Sequence, residues 1–234
     1  GVKLLELAYN SFPDTFLSLL TEKRCTYVNV PYRIKSFEEI VSNNFDTIVF
    51  DNNLHTTLLQ ACKERGSSAY YLRDSNEEVI YSSILEKLLL ILLVKTTNFV
   101  PDGGIWMNTQ RPEWNDANNA LAGKGMSMVT LYYLLRAVAL LQSIIQEGDS
   151  STDSVELHTE IVSFFEQVHA TLLTFLSTLS TGFSAKTRYD FVATMGAIGS
   201  DYRTHCYTNA DFTTYKQLSF SKIEKLLSLI HTYF

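Results

Sequence analysis

Apolar residues recur at helical spacing through the second two-thirds of this chain, with little to interrupt them. Only 4 Pro and 10 Gly occur among 234 residues. Such patterning favours long amphipathic helices packed on one another. Ser75-Asn76-Glu77-Glu78 has the form of a capping box, in which a Ser side chain and a Glu three residues on satisfy each other's free amides. It predicts a helix through Val79, Ile80, Ile84, Leu85 and Leu88 to about Thr97, apolar all round in its middle. A second helix is predicted from Ser127 to about Gln146, stopped by Gly148, and a third from Asp153 to Ser180. Tyr189–Tyr202, carrying Gly196 and Gly199, reads as a weaker helix. Ser221-Lys222-Ile223-Glu224 offers another capping box for a final one.

The first third reads differently. Residues 26–30 and 45–50 are rich in β-branched and aromatic side chains, the composition of short strands. Ser36-Phe37-Glu38-Glu39 forms a further capping box, and Asn53–Arg65, closed by Gly66, reads as an amphipathic helix with a cap at Asp51-Asn52-Asn53. Two alternatives stay open for residues 1–72: a small mixed α/β lobe, or helical hairpins joined by extended loops. No Pro/Gly/Ser-rich linker divides residues 1–72 from 73–234, so one mainly helical domain is expected.

Charge narrows the partners. Lys+Arg 19 against Asp+Glu 25 leaves a net charge of −6, which argues against nucleic acid as a partner. The longest unbroken apolar run, Leu88–Val94, is far shorter than a bilayer span, so no membrane insertion is expected. Cys25, Cys62 and Cys206 are widely separated, and the five histidines show no ligand spacing. No metal or cofactor is therefore expected, and localisation is left open between cytoplasm and periplasm.

Chemistry concentrates in residues 101–120, between two predicted helices. Both tryptophans of the chain, Trp106 and Trp114, fall here among amides, acids and Arg111. A long loop on a helical scaffold is where binding groups gather, and an aromatic ring beside amides and carboxylates suits a sugar. The plainer alternative is that the tryptophans pin the loop and the acids cap the next helix.

Glu113-Trp114-Asn115-Asp116-Ala117 resembles the Asp-Trp-Asn-Asp-Gly/Ala signature of the inverting cellobiose and chitobiose phosphorylases, and more broadly of glycosidases built on an (α/α)6 toroid. The close match covers about twenty residues. The resemblance implies Asp116 as general acid and Trp114 as the sugar platform; Trp106, Arg111, Asn115 and Asn118 of the same loop are the further substrate-binding candidates. Glu113 stands where the family has Asp, and Asn118 where Met is common, which turns the preference from phosphorylase toward inverting hydrolase. An inverting hydrolase needs a second carboxylate across the cleft, about 6.5–9.5 Å away. Glu113, Asp190 and Asp201 are the candidates, while Arg188, Arg203 and His205 are candidates for holding an anion.

The expectation is thus a mainly α fold, helical hairpins of a partial (α/α) toroid, with the first seventy residues as a small α/β lobe in one alternative. It would cleave glycosidic bonds in an oligo- or polysaccharide. The other reading is a non-catalytic helical domain binding a glycan or protein through the Trp106–Trp114 loop. A whole toroid has twelve helices and generally needs a longer chain, so the rest of a parent chain is expected to complete the site.

Overall fold

The computed structural model describes residues 1–109, 120–147, 153–208 and 211–234. It overturns the expected toroid hairpins. The structure is mixed α/β, 61% helical and 16% strand, with its strands in several small sheets. Strands β1 (Lys23–Thr26) and β4 (Tyr81–Ser83) form one pair, and β2 (Tyr32–Ile34) and β3 (Ile48–Phe50) another. A three-stranded sheet runs β5 (Phe99–Val100), β6 (Gly104–Trp106), β7 (Met126–Ser127), and β8 (Ser154–His158) pairs with β9 (Tyr215–Ser219). Every pairing among these is antiparallel.

The local reasons for the departure can be named. Helix Ile84–Thr96 begins nine residues after Ser75, because Ser83 takes the cap and accepts from Glu86 N–H. Residues 74–78 instead close a turn in which the Asp74 carboxylate accepts from the amides of Asn76 and Glu78. The long helix predicted from Asp153 begins only at Thr159 and ends at Phe175. Val155 and Leu157 are buried on alternate positions of β8 and sit opposite Leu218 and Lys216 of β9. Their period of two serves a strand, and the apolar residues after them had masked it.

Helices Ile84–Thr96, Met128–Glu147, Thr159–Phe175, Ala185–Thr208 and Phe220–Tyr233 supply most of one apolar core. Leu85, Leu93, Val138, Phe164, Phe191 and Ile230 lie at its centre. Helices Val2–Ser11 and Pro13–Thr21, which the sequence reading had not marked, pack on this body, and Phe16 and Leu20 plug into it. Met128–Glu147 is long and apolar enough to cross a membrane by length and composition alone. Here it buries Leu131, Leu134, Val138 and Leu141 in the core. Helix Ile84–Thr96 is not covered on every side, since Ile91 is 54% exposed.

Helix Phe37–Ser42 does use its capping box. Ser36 Oγ accepts from Glu39 N–H at 3.3 Å, and Glu39 Oε2 accepts from Ser36 N–H at 2.9 Å. This six-residue helix leans on the Ala185–Thr208 helix, where the Ser200 hydroxyl accepts from Phe37 N–H at 2.8 Å. Ser36→Ala is expected to lose about 1 kcal/mol of folding stability, read as a lower urea midpoint at unchanged slope.

Candidate active-site loop and a buried polar centre

The loop singled out by its composition leaves the three-stranded sheet after β6 and returns at β7. Arg111, Glu113, Trp114, Asn115, Asp116 and Asn118 lie outside the described residues. The stem that carries them is described, and it is tightly held. Trp106 N–H donates to the Asn98 carbonyl at 2.7 Å, and Met107 N–H to the Gly125 carbonyl at 3.0 Å. Gly123 N–H returns to the Met107 carbonyl at 2.6 Å. Beneath them the buried amides of Asn98 and Asn108 meet at 3.2 Å.

Trp106 belongs to this stem. Its indole Nε1–H donates to the Gly123 carbonyl at 3.1 Å, and its ring meets Phe37 edge-on at 6.1 Å between centroids. Phe37 in turn lies on Gly196, where any Cβ would overlap its ring. The weak helix-forming stretch with two glycines therefore has a packing reason: Gly196 admits Phe37, and Phe37 backs Trp106. On the other side, Gly123 has φ +77° and lies so close to Asn44 that a Cβ would overlap the Asn44 carbonyl oxygen. The Thr109 hydroxyl, at the last described residue before the loop, is buried and has no hydrogen-bond partner among the described residues.

Two of the second-carboxylate candidates, Asp190 and Asp201, fall away from this stem. Asp190 is on the Ala185–Thr208 helix and pairs with Lys186 at 2.7 Å, one turn before it, with both side chains exposed. Arg188 reaches the Pro101 carbonyl at 2.9 Å and the Asp102 carboxylate at 2.5 Å. It thereby fastens the turn between β5 and β6, at the opposite end of β6 from the loop. Asp201 and His205 line a shallow depression with Glu160 and Gln167.

The sequence reading missed a second polar centre. Glu86, 2% exposed, lies on the core helix and accepts hydrogen bonds from four sides. His158 donates to it from its backbone at 2.8 Å and lies with ring Nδ1 2.7 Å from Oε1. The Tyr27 and Ser82 hydroxyls donate to the same Oε1, each at 2.9 Å. Burial by itself pushes the Glu86 carboxyl upward. The hydrogen bonds from the His158 ring and backbone, the imidazole charge and the Ser82 hydroxyl outweigh it and hold the group below its ordinary value. Burial, joined by the Glu86 charge, pushes the Tyr27 hydroxyl far above the usual phenol range. His158 Nε2 is buried without a hydrogen-bond partner among the described residues, and its ring is flanked by Phe212 and Tyr215. The available signal was the lone acid of a mainly apolar helix. His158 ends a strand whose residues run straight into the apolar pattern of the next helix, and this hides the pair in the sequence.

The Glu86–His158 pair ties the 84–96 helix to β8, and Tyr27 joins both to the segment after β1. Oriented side chains on rigid elements are what a catalytic dyad also uses, but this one is sealed beneath aromatic rings. It acts as a structural polar clasp. The loop on its stem remains the candidate active site. No protein-family model matches the chain, and no curated protein matches it.

Proposed function

We propose that this chain contributes a proton-donating loop to inverting cleavage of a glycosidic bond in an oligo- or polysaccharide. Asp116 acts as general acid and Trp114 as the platform under the sugar ring. The observation that carries this reading is the order Glu113-Trp114-Asn115-Asp116-Ala117 placed between the two anchored ends of one antiparallel stem. Cleavage needs a proton on the leaving oxygen as the bond to the anomeric carbon breaks. The role requires the Asp116 carboxyl to keep its proton near neutral pH, which partial desolvation would favour. A stem fixed by backbone hydrogen bonds limits the wandering of such a group relative to its substrate. Water attacks from the opposite face, activated by a second carboxylate for which Glu113 is the candidate in this loop. Trp106 has its indole N–H committed to Gly123, so it supports the loop from below.

The test uses the purified protein on a panel of oligosaccharides and the matching dinitrophenyl glycosides. Asp116→Asn is expected to lower kcat on unactivated glycans by about 10²–10⁴-fold. On dinitrophenyl glycosides, whose leaving group needs little protonation, the loss should be much smaller. Equal losses on both substrates, or full retention on glycans, would refute the general-acid role. Glycan binding lost in Trp114→Ala, without any cleavage by the parent protein, would favour the non-catalytic binding reading.

A further inference from the structure

A cleft of about 360 Å³ opens between the segment after β1 and the last turns of the Ala185–Thr208 helix. Its walls combine the aromatic residues Tyr27, Tyr202, Tyr207 and Phe212 with aliphatic ones such as Leu72 and Leu90, and Arg33 and Arg203 line it as well. Neither arginine has a carboxylate partner among the described residues. Arg33 lies over the Tyr207 ring at 4.7 Å and donates to the carbonyls of Val30 and Tyr32 at 3.0 and 3.1 Å. Arg203 uses Nη2 on the Ser200 hydroxyl and the Lys35 carbonyl, at 3.1 and 3.4 Å. Its Nε–H is buried and has no acceptor among the described residues.

A half-buried cation with a buried, unused donor is costly unless something supplies the missing charge and acceptors. Burial depresses the Arg203 pKa, as expected where no anion compensates. Glu86 does not fill the role, because it lies behind Tyr27 and is taken up by His158, Ser82 and Tyr27. The Cys206 thiol on the same wall is pushed up to about 11, chiefly by burial, so it offers no thiolate to the arginines. The rings are held in place: Tyr202 stacks on Phe164 at 4.3 Å and 9°, and the Tyr207 hydroxyl accepts from Ile34 N–H at 3.3 Å. Fixed aromatic faces beside two unpaired guanidiniums suit a ring-shaped ligand carrying an oxyanion.

We propose that this cleft binds a monosaccharide-sized ring bearing a carboxylate or phosphate, with Arg203 and Arg33 on the oxyanion and Tyr202 and Tyr207 against the ring. The choice of a sugar ring rests on the glycosidic reading above; the oxyanion rests on the two arginines. Glucuronate supplies the carboxylate and glucose 6-phosphate the phosphate, with glucose as the neutral control.

Calorimetric titration of the purified protein is expected to show at least one acidic sugar binding about 10-fold or more tightly than glucose, with affinity falling as salt rises. Tighter binding of glucuronate identifies a carboxylate ligand, and of glucose 6-phosphate a phosphate ligand. Arg203→Gln should weaken that binding at least 10-fold and Arg33→Gln several-fold, each with unchanged circular dichroism. If Arg203→Gln does not fold, Arg203→Lys takes its place and is expected to bind at an intermediate level, since it keeps charge without the planar fork. Acidic sugars binding no better than glucose would overturn the proposal. So would tight binding that survives in both arginine variants. Asp116→Asn should leave this binding intact, so absence of cleavage would leave the cleft assignment standing. Loss of binding in Asp116→Asn alone would move the ligand to the loop and reject the cleft.

Discussion

Glu86→Ala is expected to destabilise the protein by about 3–5 kcal/mol at pH 7, measured by urea unfolding. The substitution removes an acceptor on which four donors converge, and leaves the His158 ring, the Tyr27 hydroxyl and the Ser82 hydroxyl facing an apolar gap. Glu86→Gln preserves the shape and one acceptor oxygen, so a smaller loss of about 1–3 kcal/mol is expected. The pair of variants also separates charge from packing through pH. The folded Glu86 carboxyl has its pKa held below the ordinary glutamate value of about 4.5. Its protonation therefore favours the unfolded chain, and the stability it contributes is fully present above about pH 4.5. That contribution is lost as pH falls through the lower folded value. The gap between the native protein and Glu86→Gln should be widest at neutral pH and shrink below about pH 4.5. A gap that is the same at both ends of this range would mean that the carboxylate charge is not what the site holds.

This clasp also shows where sequence reading stopped. Helix existence was legible wherever the apolar period was sustained, as in Met128–Glu147, and wherever a cap was used by its own helix, as at Ser36 and at Asp51. The C-cap was legible too: Gly66 ends its helix at φ +64°. What failed were boundaries set by distant partners. Ser75 and Ser221 have the same local signature as Ser36, yet Ser83 and Ser219 take the caps, because the residues before them are paired into β4 and β9. Strand pairing between residues some sixty positions apart leaves no local trace, and it turned an expected helical array into a mixed fold. Of the candidate site, the prominence of the loop was legible from composition and the pinning role of Trp106 from the plainer alternative. Tertiary contacts alone reveal that Asp190 spends its charge on Lys186 and that Arg188 fastens a turn.

Gly123→Ala should separate the stem from the loop it carries. At φ +77°, an alanine pays left-handed strain of about 1–2 kcal/mol. Its Cβ would also overlap the Asn44 backbone carbonyl, which has no rotamer with which to withdraw, adding about 1–3 kcal/mol of overpacking. The expected total is about 2–5 kcal/mol, read by urea unfolding. Gly66→Ala is the matched control, since it has φ +64° with nothing within 4 Å of the new methyl, and should show the strain alone. Trp106 donates its indole N–H to the Gly123 carbonyl, so a shift of indole emission in Gly123→Ala is the expected sign that the stem has moved. If the loop performs general acid catalysis, the same displacement should lower turnover about 10²-fold at temperatures where the variant stays folded, because a misplacement near 1 Å is enough to misalign an acid. Gly66→Ala should leave turnover unchanged. Equal stability losses in the two variants would show that Asn44 does not press on the stem. A destabilised Gly123→Ala with full turnover would show that the stem can yield without moving the acid, and that the positioning of Asp116 comes from contacts within the loop.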